Sequence, residues 1–75
     1  METKNARFIR LGEARTNSVI NKLRLIGNLS NTRNYEYSKK EVDELFKAIE
    51  SELKNTKKLF DVGLSKQNNK FKFIK

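Results

Sequence analysis

The 75 residues carry 17 Lys+Arg against 9 Asp+Glu, a net charge of +8, and include neither Cys nor His. This length allows a single domain with a marginal core, and without Cys there is no disulfide to support it, so an oligomer or a partner chain is expected to help. The missing side chains also exclude thiolate metal sites and Cys–His or Ser–His catalytic groups, which predicts a non-enzyme without a cofactor.

The first predicted element is an amphipathic helix over residues 5–26. Small and apolar residues recur along one face at helical spacing: Phe8, Gly12, Val19, Leu23 and Ile26, flanked by Ile9, Thr16 and Ile20. Gly12 and Thr16 would let another backbone approach this face closely. Gly27 is placed to end the helix in a left-handed conformation.

The opposite face of this helix is polar and basic. It carries the side chains Arg7, Arg10, Asn17, Asn21 and Arg24. The stretch from Arg10 to Arg24 would be roughly 21 Å long at 1.5 Å per residue. Arg suits phosphate groups and Asn suits base edges or sugars, so this face is a candidate nucleic-acid surface. An ordinary solvated helix face is the alternative, and the pattern favours neither.

A polar connection, "GNLSNTRNYEYS", occupies residues 27–38. Asn and Ser commonly bond their own backbone in turns, which explains part of this composition. Four residues are left without a predicted structural role: Asn31, Arg33, Asn34 and Tyr35. An Arg beside an aromatic ring can stack on unpaired bases and bind phosphate, and the same residue types are enriched at protein–protein hot spots.

The second predicted helix spans residues 39–60. Ser38 and Glu41 have the spacing of a capping box, and Tyr37 and Val42 that of a hydrophobic staple. The apolar face then continues in steps of three and four: Val42, Leu45, Phe46, Ile49, Leu53 and Phe60, with Thr56 on the same stripe. Gly63 is expected to stop the helix.

Residues 61–75 are predicted to form a basic tail. Its end, "FKFIK", alternates apolar and basic residues as a strand does. It could fold back over the helices or stay mobile until a partner arrives. The expected fold is therefore all-α: a two-helix antiparallel hairpin with a basic tail. A monomer with a docked tail and a dimer forming a four-helix bundle are the two assemblies that fit this pattern.

No apolar run approaches the roughly 20 residues of a membrane span, and the N-terminal "METKNARFIR" has no signal-peptide core. We therefore expect a cytoplasmic protein that does not enter the membrane. Attachment to a membrane surface would require a Trp-rich or Phe-rich apolar face bordered by Lys, and neither predicted helix has one.

Four successive segments, "RFIRLGEAR", "LRLIGNLSN", "YEYS" and "KKLF", resemble a group of small helical proteins of Gram-positive bacteria and their mobile elements. The resemblance covers about residues 8–60 and leaves the tail out. It implies that the polar loop is a feature of the whole group, and it implies no activity. The basic hairpin is also similar, in architecture alone, to plasmid copy-number proteins that bind RNA as dimers.

Two functions fit the sequence. The first is nucleic-acid binding through the Arg/Asn face and the loop, with RNA or single-stranded DNA favoured because no helix-turn-helix spacing is visible. The second is a protein-binding accessory subunit or inhibitor of a larger nucleoprotein complex, suggested by the wide apolar face of the first helix and by the tail. A homodimer is compatible with both.

Overall fold

The computed structural model describes residues 1–68. Two helices follow one another in this part of the chain: α1, Lys4–Asn28, and α2, Lys39–Asn68. No strand occurs in the same part of the chain, so the all-α prediction is confirmed. The chain divides into two compact units, Met1–Glu36 and Tyr37–Lys75, which are described separately below.

The first helix, α1, begins at a Thr cap. Thr3 has extended backbone angles, and its Oγ1 accepts a hydrogen bond from the Ala6 N–H at 2.9 Å. The Arg7 N–H donates to the Thr3 carbonyl at 3.0 Å, which closes the first turn. Because the cap satisfies an N–H group that has no partner inside the helix, α1 starts at Lys4.

The C-terminal end of α1 differs from the prediction. Gly27 lies inside the helix, and no glycine among the described residues has a positive φ. The cap is Leu29, which keeps right-handed helical angles while its N–H donates to the Ile26 carbonyl at 3.0 Å. The Ser30 N–H also donates to the Gly27 carbonyl, at 3.0 Å. These turn bonds satisfy the last carbonyls, so a left-handed glycine is not needed.

At the start of α2 the predicted capping box is confirmed. The Ser38 N–H donates to Glu41 Oε1 at 2.8 Å, and the Glu41 N–H donates to Ser38 Oγ at 3.1 Å. The Val42 N–H reaches the Ser38 carbonyl at 3.1 Å, so Ser38 is the N-cap. This reciprocal bonding fixes the first turn of α2. The packing of Tyr37 on Val42 stays a prediction.

The end of α2 corrects the predicted boundary at about residue 60. The helix passes through Gly63 and ends at Asn68. Gly63 costs about 1 kcal/mol of helix propensity relative to Ala, which is not enough to break a helix whose apolar face continues. Leu64 follows Phe60 by one turn and extends that face. The remainder of the predicted tail, with its strand-like residues 71–75, lies outside the described residues.

No side chain in residues 1–67 is buried. The apolar faces of both helices are exposed: the exposed fraction is 57% for Val19 on α1 and 58% for Leu53 on α2. Within residues 1–68, neither helix contains a stretch long and apolar enough to cross a lipid bilayer. The antiparallel hairpin and the four-helix bundle stay predictions.

Candidate nucleic-acid interface

The Arg/Asn face lies on one uninterrupted helix. All five of its side chains belong to α1 and are exposed: Arg7, Arg10, Asn17, Asn21 and Arg24. Since α1 contains no break between Lys4 and Asn28, the helical repeat places these residues along one side, opposite the apolar face. The structure therefore brings this part of the predicted site together.

Arg10 is held by a carboxylate. Its Nε donates to Glu2 Oε2 at 2.8 Å, and its Nη2 donates to Glu2 Oε1 at 3.0 Å. This two-point hydrogen bond lowers the pKa of Glu2 and raises that of Arg10, in each case against a smaller effect of desolvation. Both residues are accessible, so an incoming phosphate would compete with Glu2 for the same guanidinium.

The other cations of this face have no such partner. Arg7 and Arg24 form no ion pair with any of residues 1–68. Arg7 lies in the first third of α1 and Arg24 in the last third. An anionic chain that lies along α1 would therefore meet two Arg side chains without an ion-pair partner, Arg7 and Arg24, and one, Arg10, that is already paired with Glu2.

Asn31 organises the loop after α1. Its Oδ1 accepts a hydrogen bond from the Arg33 N–H at 3.0 Å, and its carbonyl accepts from the N–H groups of Asn34 at 3.1 Å and Tyr35 at 3.0 Å. The expectation that Asn31 lacks a structural role is therefore wrong, because it caps a single helical turn. Whether it also contacts a ligand stays a prediction.

Three residues of the turn are exposed. Arg33, Asn34 and Tyr35 are all accessible to solvent, and the exposed fraction of Tyr35 is 48%. The Arg33 guanidinium has no ion pair within residues 1–68. A cation, an amide and an aromatic ring thus follow one another on a short ordered segment.

No protein-family model, curated protein or solved structure matches this chain.

Two features of this unit are absent from the sequence-based prediction. One is Glu2, whose distance of eight residues from Arg10 falls outside the usual three-residue and four-residue ion-pair spacings. The other is a shallow depression over Gly12. Its lining residues come from nearly three turns of α1: Phe8, Ile9, Gly12, Glu13, Thr16 and Asn17. Asn17 therefore lies at the border between the polar face and the apolar one.

No three Asp, Glu, His or Cys side chains within residues 1–68 lie close enough together to hold one metal ion. The chemistry that this unit offers is that of guanidinium, amide and phenol groups. These groups can neutralise phosphate, donate and accept hydrogen bonds, and stack on flat rings.

Proposed function

We propose that this chain is a small non-enzymatic nucleic-acid-binding protein of the cytoplasm, with RNA or single-stranded DNA as its ligand. The observation that carries the proposal is the concentration of all five Arg residues in Met1–Glu36: three on one face of α1, one on another side of it and one on the turn that follows. Seven Lys+Arg stand against three Asp+Glu in this unit, so it attracts polyanions.

The Arg/Asn face would bind the backbone of the ligand. Arg7, Arg10 and Arg24 would neutralise phosphates, which supplies affinity without sequence preference. Asn17 and Asn21, between the Arg residues, would bond sugars or base edges. A stripe of roughly 21 Å, at 1.5 Å per residue, spans several phosphates of an extended strand.

The loop would bind an unpaired base. Tyr35 would stack on the base, and Arg33 would hold the adjacent phosphate or stack in turn. Asn31 and Asn34 would supply hydrogen bonds, with Asn31 also maintaining the turn. Because a base must leave its helix to stack on Tyr35, an unpaired strand fits this loop better than a duplex does.

The predicted four-helix bundle is compatible with this binding surface. The Arg/Asn face lies opposite the apolar face of α1, so covering the apolar face with other helices would leave the cations exposed. Two copies of α1 in one bundle would double the number of Arg side chains available to a single ligand.

Fluorescence anisotropy with short labelled RNA, single-stranded DNA and duplex DNA tests this function at low and at physiological salt. We expect the two single-stranded ligands to bind more tightly than the duplex. Their affinity should fall with salt, by a logarithmic slope of about 0.7 for each phosphate neutralised. Affinity that does not change with salt, or no binding at low salt, contradicts the proposal.

Two matched pairs of variants locate the site. Arg24→Ala should reduce the salt slope by about one phosphate contact, while Arg15→Ala, which removes the same charge from another side of α1, should change it less. In the loop, Tyr35→Ala should cost about 1–3 kcal/mol of binding free energy through lost stacking, and Thr32→Ala should cost little. If the two variants of a pair changed the salt slope or the binding free energy equally, the binding site would lie elsewhere on the chain.

The exposed apolar residues support a second candidate, a protein-binding accessory subunit or inhibitor of a nucleoprotein complex. Phe8 and Leu53, on different helices, keep 57% and 58% of their surface accessible. Large exposed apolar surfaces mark protein interfaces. Affinity capture with the full chain and with Phe8→Asp or Leu53→Asp variants tests this candidate: a specific partner lost from both variants supports it.

A further inference from the structure

The apolar faces of α1 and α2 are matched in length. Residues 8–26 on α1 and residues 42–60 on α2 are 19 residues each, about 28 Å at 1.5 Å per residue. A single helix gains most of its stability when its apolar face packs against other apolar side chains. Both apolar faces are therefore expected to pack against another helix. In each unit taken by itself, these apolar side chains are exposed.

We propose that a second copy of this chain covers these faces, with α1 of each protomer antiparallel to α2 of its partner. Val19 would lie opposite Leu53, and Gly12 opposite Phe60. A two-fold axis makes the arrangement reciprocal, so both apolar faces of both chains are covered at once. This pairing goes beyond nucleic-acid binding and does not depend on it.

Side-chain sizes set the alignment. If Val19 lies opposite Leu53, then Phe60, two turns further along α2, lies over Gly12. A shallow depression is found at Gly12 on α1. A Cβ added at Gly12 would meet nothing within 4 Å, so this space is open in the chain by itself. The same alignment places Gly63 opposite Ile9. Each glycine thus faces a large side chain, as close packing of two helices requires.

Next to Leu53 the proposed seam has a hydroxyl group on each helix. One turn away, Thr56 would face Thr16, and Thr56 Oγ1 already donates to the Glu52 carbonyl at 2.8 Å. This hydroxyl can therefore be covered without losing its hydrogen bond.

Charges at the edges of the two faces agree with this alignment. In antiparallel helix pairs the residues that flank the apolar seam face one another and determine partner choice. Here Glu13 would face Lys57, and Lys22 would face Glu52. A shift of α2 by one heptad would place Glu13 against Glu50 instead and would move Phe60 away from Gly12.

The position at which α2 ends also agrees with this alignment. With Val19 opposite Leu53, the first residue of α1, Lys4, lies level with the last residue of α2, Asn68. A helix that stopped near Gly63 would leave the first turn of α1 uncovered. Pairing of α1 with a second α1 is disfavoured, because it would bring Arg15 and Lys22 of one copy against the same two cations of the other.

Disulfide cross-linking tests the pairing directly, since the chain has no Cys. Chains carrying Val19→Cys are mixed with chains carrying Leu53→Cys and oxidised. We expect a covalent species of twice the 8.8 kDa chain mass on a non-reducing gel. Asn21→Cys, on the opposite side of α1, mixed with Leu53→Cys should give roughly tenfold less, because Cβ atoms must approach within about 4 Å.

The double variant Val19→Cys/Leu53→Cys distinguishes pairing between two chains from pairing of α1 with α2 of the same chain. Covalent dimers support the proposal, whereas closure inside one chain, seen as a monomer of altered mobility, overturns it. A molar mass of 8.8 kDa by light scattering, with no cross-linking in the mixture, also overturns it.

Charge reversal tests the alignment without cysteine. Glu13→Lys and Lys57→Glu should each raise the dimer dissociation constant by about fivefold, because attraction becomes repulsion at two symmetric sites. The two changes combined in one chain should return it to within about twofold of the original value. If the combined variant dissociates as readily as the single ones, the proposed alignment is wrong.

Discussion

Arg10 holds the Glu2 carboxylate with two nitrogens, Nε at 2.8 Å from Oε2 and Nη2 at 3.0 Å from Oε1. The side chain of Arg10 is 60% exposed and that of Glu2 is 34% exposed, so solvent and other anions reach the pair. Glu2 therefore acts as an internal competitor for the guanidinium that the nucleic-acid proposal assigns to phosphate. An exposed pair of this kind contributes little to stability, and its main consequence is for binding.

Glu2→Gln should tighten binding of single-stranded RNA. The amide keeps the size of the side chain and removes its charge, so Arg10 becomes available to phosphate. We expect a gain of about two- to threefold at low salt, together with a steeper salt dependence. Glu44→Gln on α2, which raises the net charge equally, should give a smaller gain. If both variants bind equally well, net charge alone accounts for the effect.

The pKa of Glu2 should lie below its ordinary value of 4.5 because Arg10 bonds its ionised form. The pair is therefore present above pH 4.5 and is lost as the pH falls through the lowered pKa. Titration of the Glu2 side-chain carbon signal by NMR measures this pKa, and Arg10→Ala should raise it. An unchanged pKa in that variant would show that the pair does not persist in solution.

Asn31 should act on binding through the loop's conformation. Asn31→Ala removes the oxygen that accepts from the Arg33 N–H and should destabilise the turn by about 1 kcal/mol. Amide exchange at Arg33 should accelerate, and RNA affinity should fall. Asn31→Ser keeps a hydrogen-bond acceptor, so amide exchange at Arg33 should stay slow and most of the RNA affinity should remain. A Ser variant as defective in binding as the Ala variant, with normal exchange, would indicate direct contact with the ligand instead.

Local hydrogen-bond chemistry was predictable from the sequence where it uses a fixed spacing. Ser38 and Glu41 stand three residues apart, and their reciprocal bonds form as the capping-box pattern predicts. Both helices were predictable from apolar periodicity. The end of α2 was not, because Gly63 favours termination while Leu64 favours continuation, and their balance depends on small propensity differences. Glu2 was missed because its bond to Arg10 follows from Thr3 starting α1, not from a spacing rule.

The capping box should be needed for the start of α2. Ser38→Ala removes the acceptor for the Glu41 N–H and should cost about 1 kcal/mol of helix stability. Circular dichroism at 222 nm during thermal unfolding should show a lower midpoint, whereas Ser38→Asp, which keeps a capping oxygen, should stay close to the original chain. Equal midpoints for all three chains would mean that the first turn of α2 is not required for its stability.

Gly12→Ala should have opposite effects on α1 and on the dimer. Within one chain the new Cβ meets nothing within 4 Å, so α1 gains about 1 kcal/mol of helix propensity. In the proposed dimer the same Cβ would occupy the space of Phe60 from the other copy, and association should weaken. Gly27→Ala is the control, because it also replaces a glycine of α1, at a site away from Phe60. We expect sedimentation equilibrium to show weaker association for Gly12→Ala and not for Gly27→Ala. Tighter association of both variants would mean that helix propensity limits assembly and that Phe60 does not face Gly12.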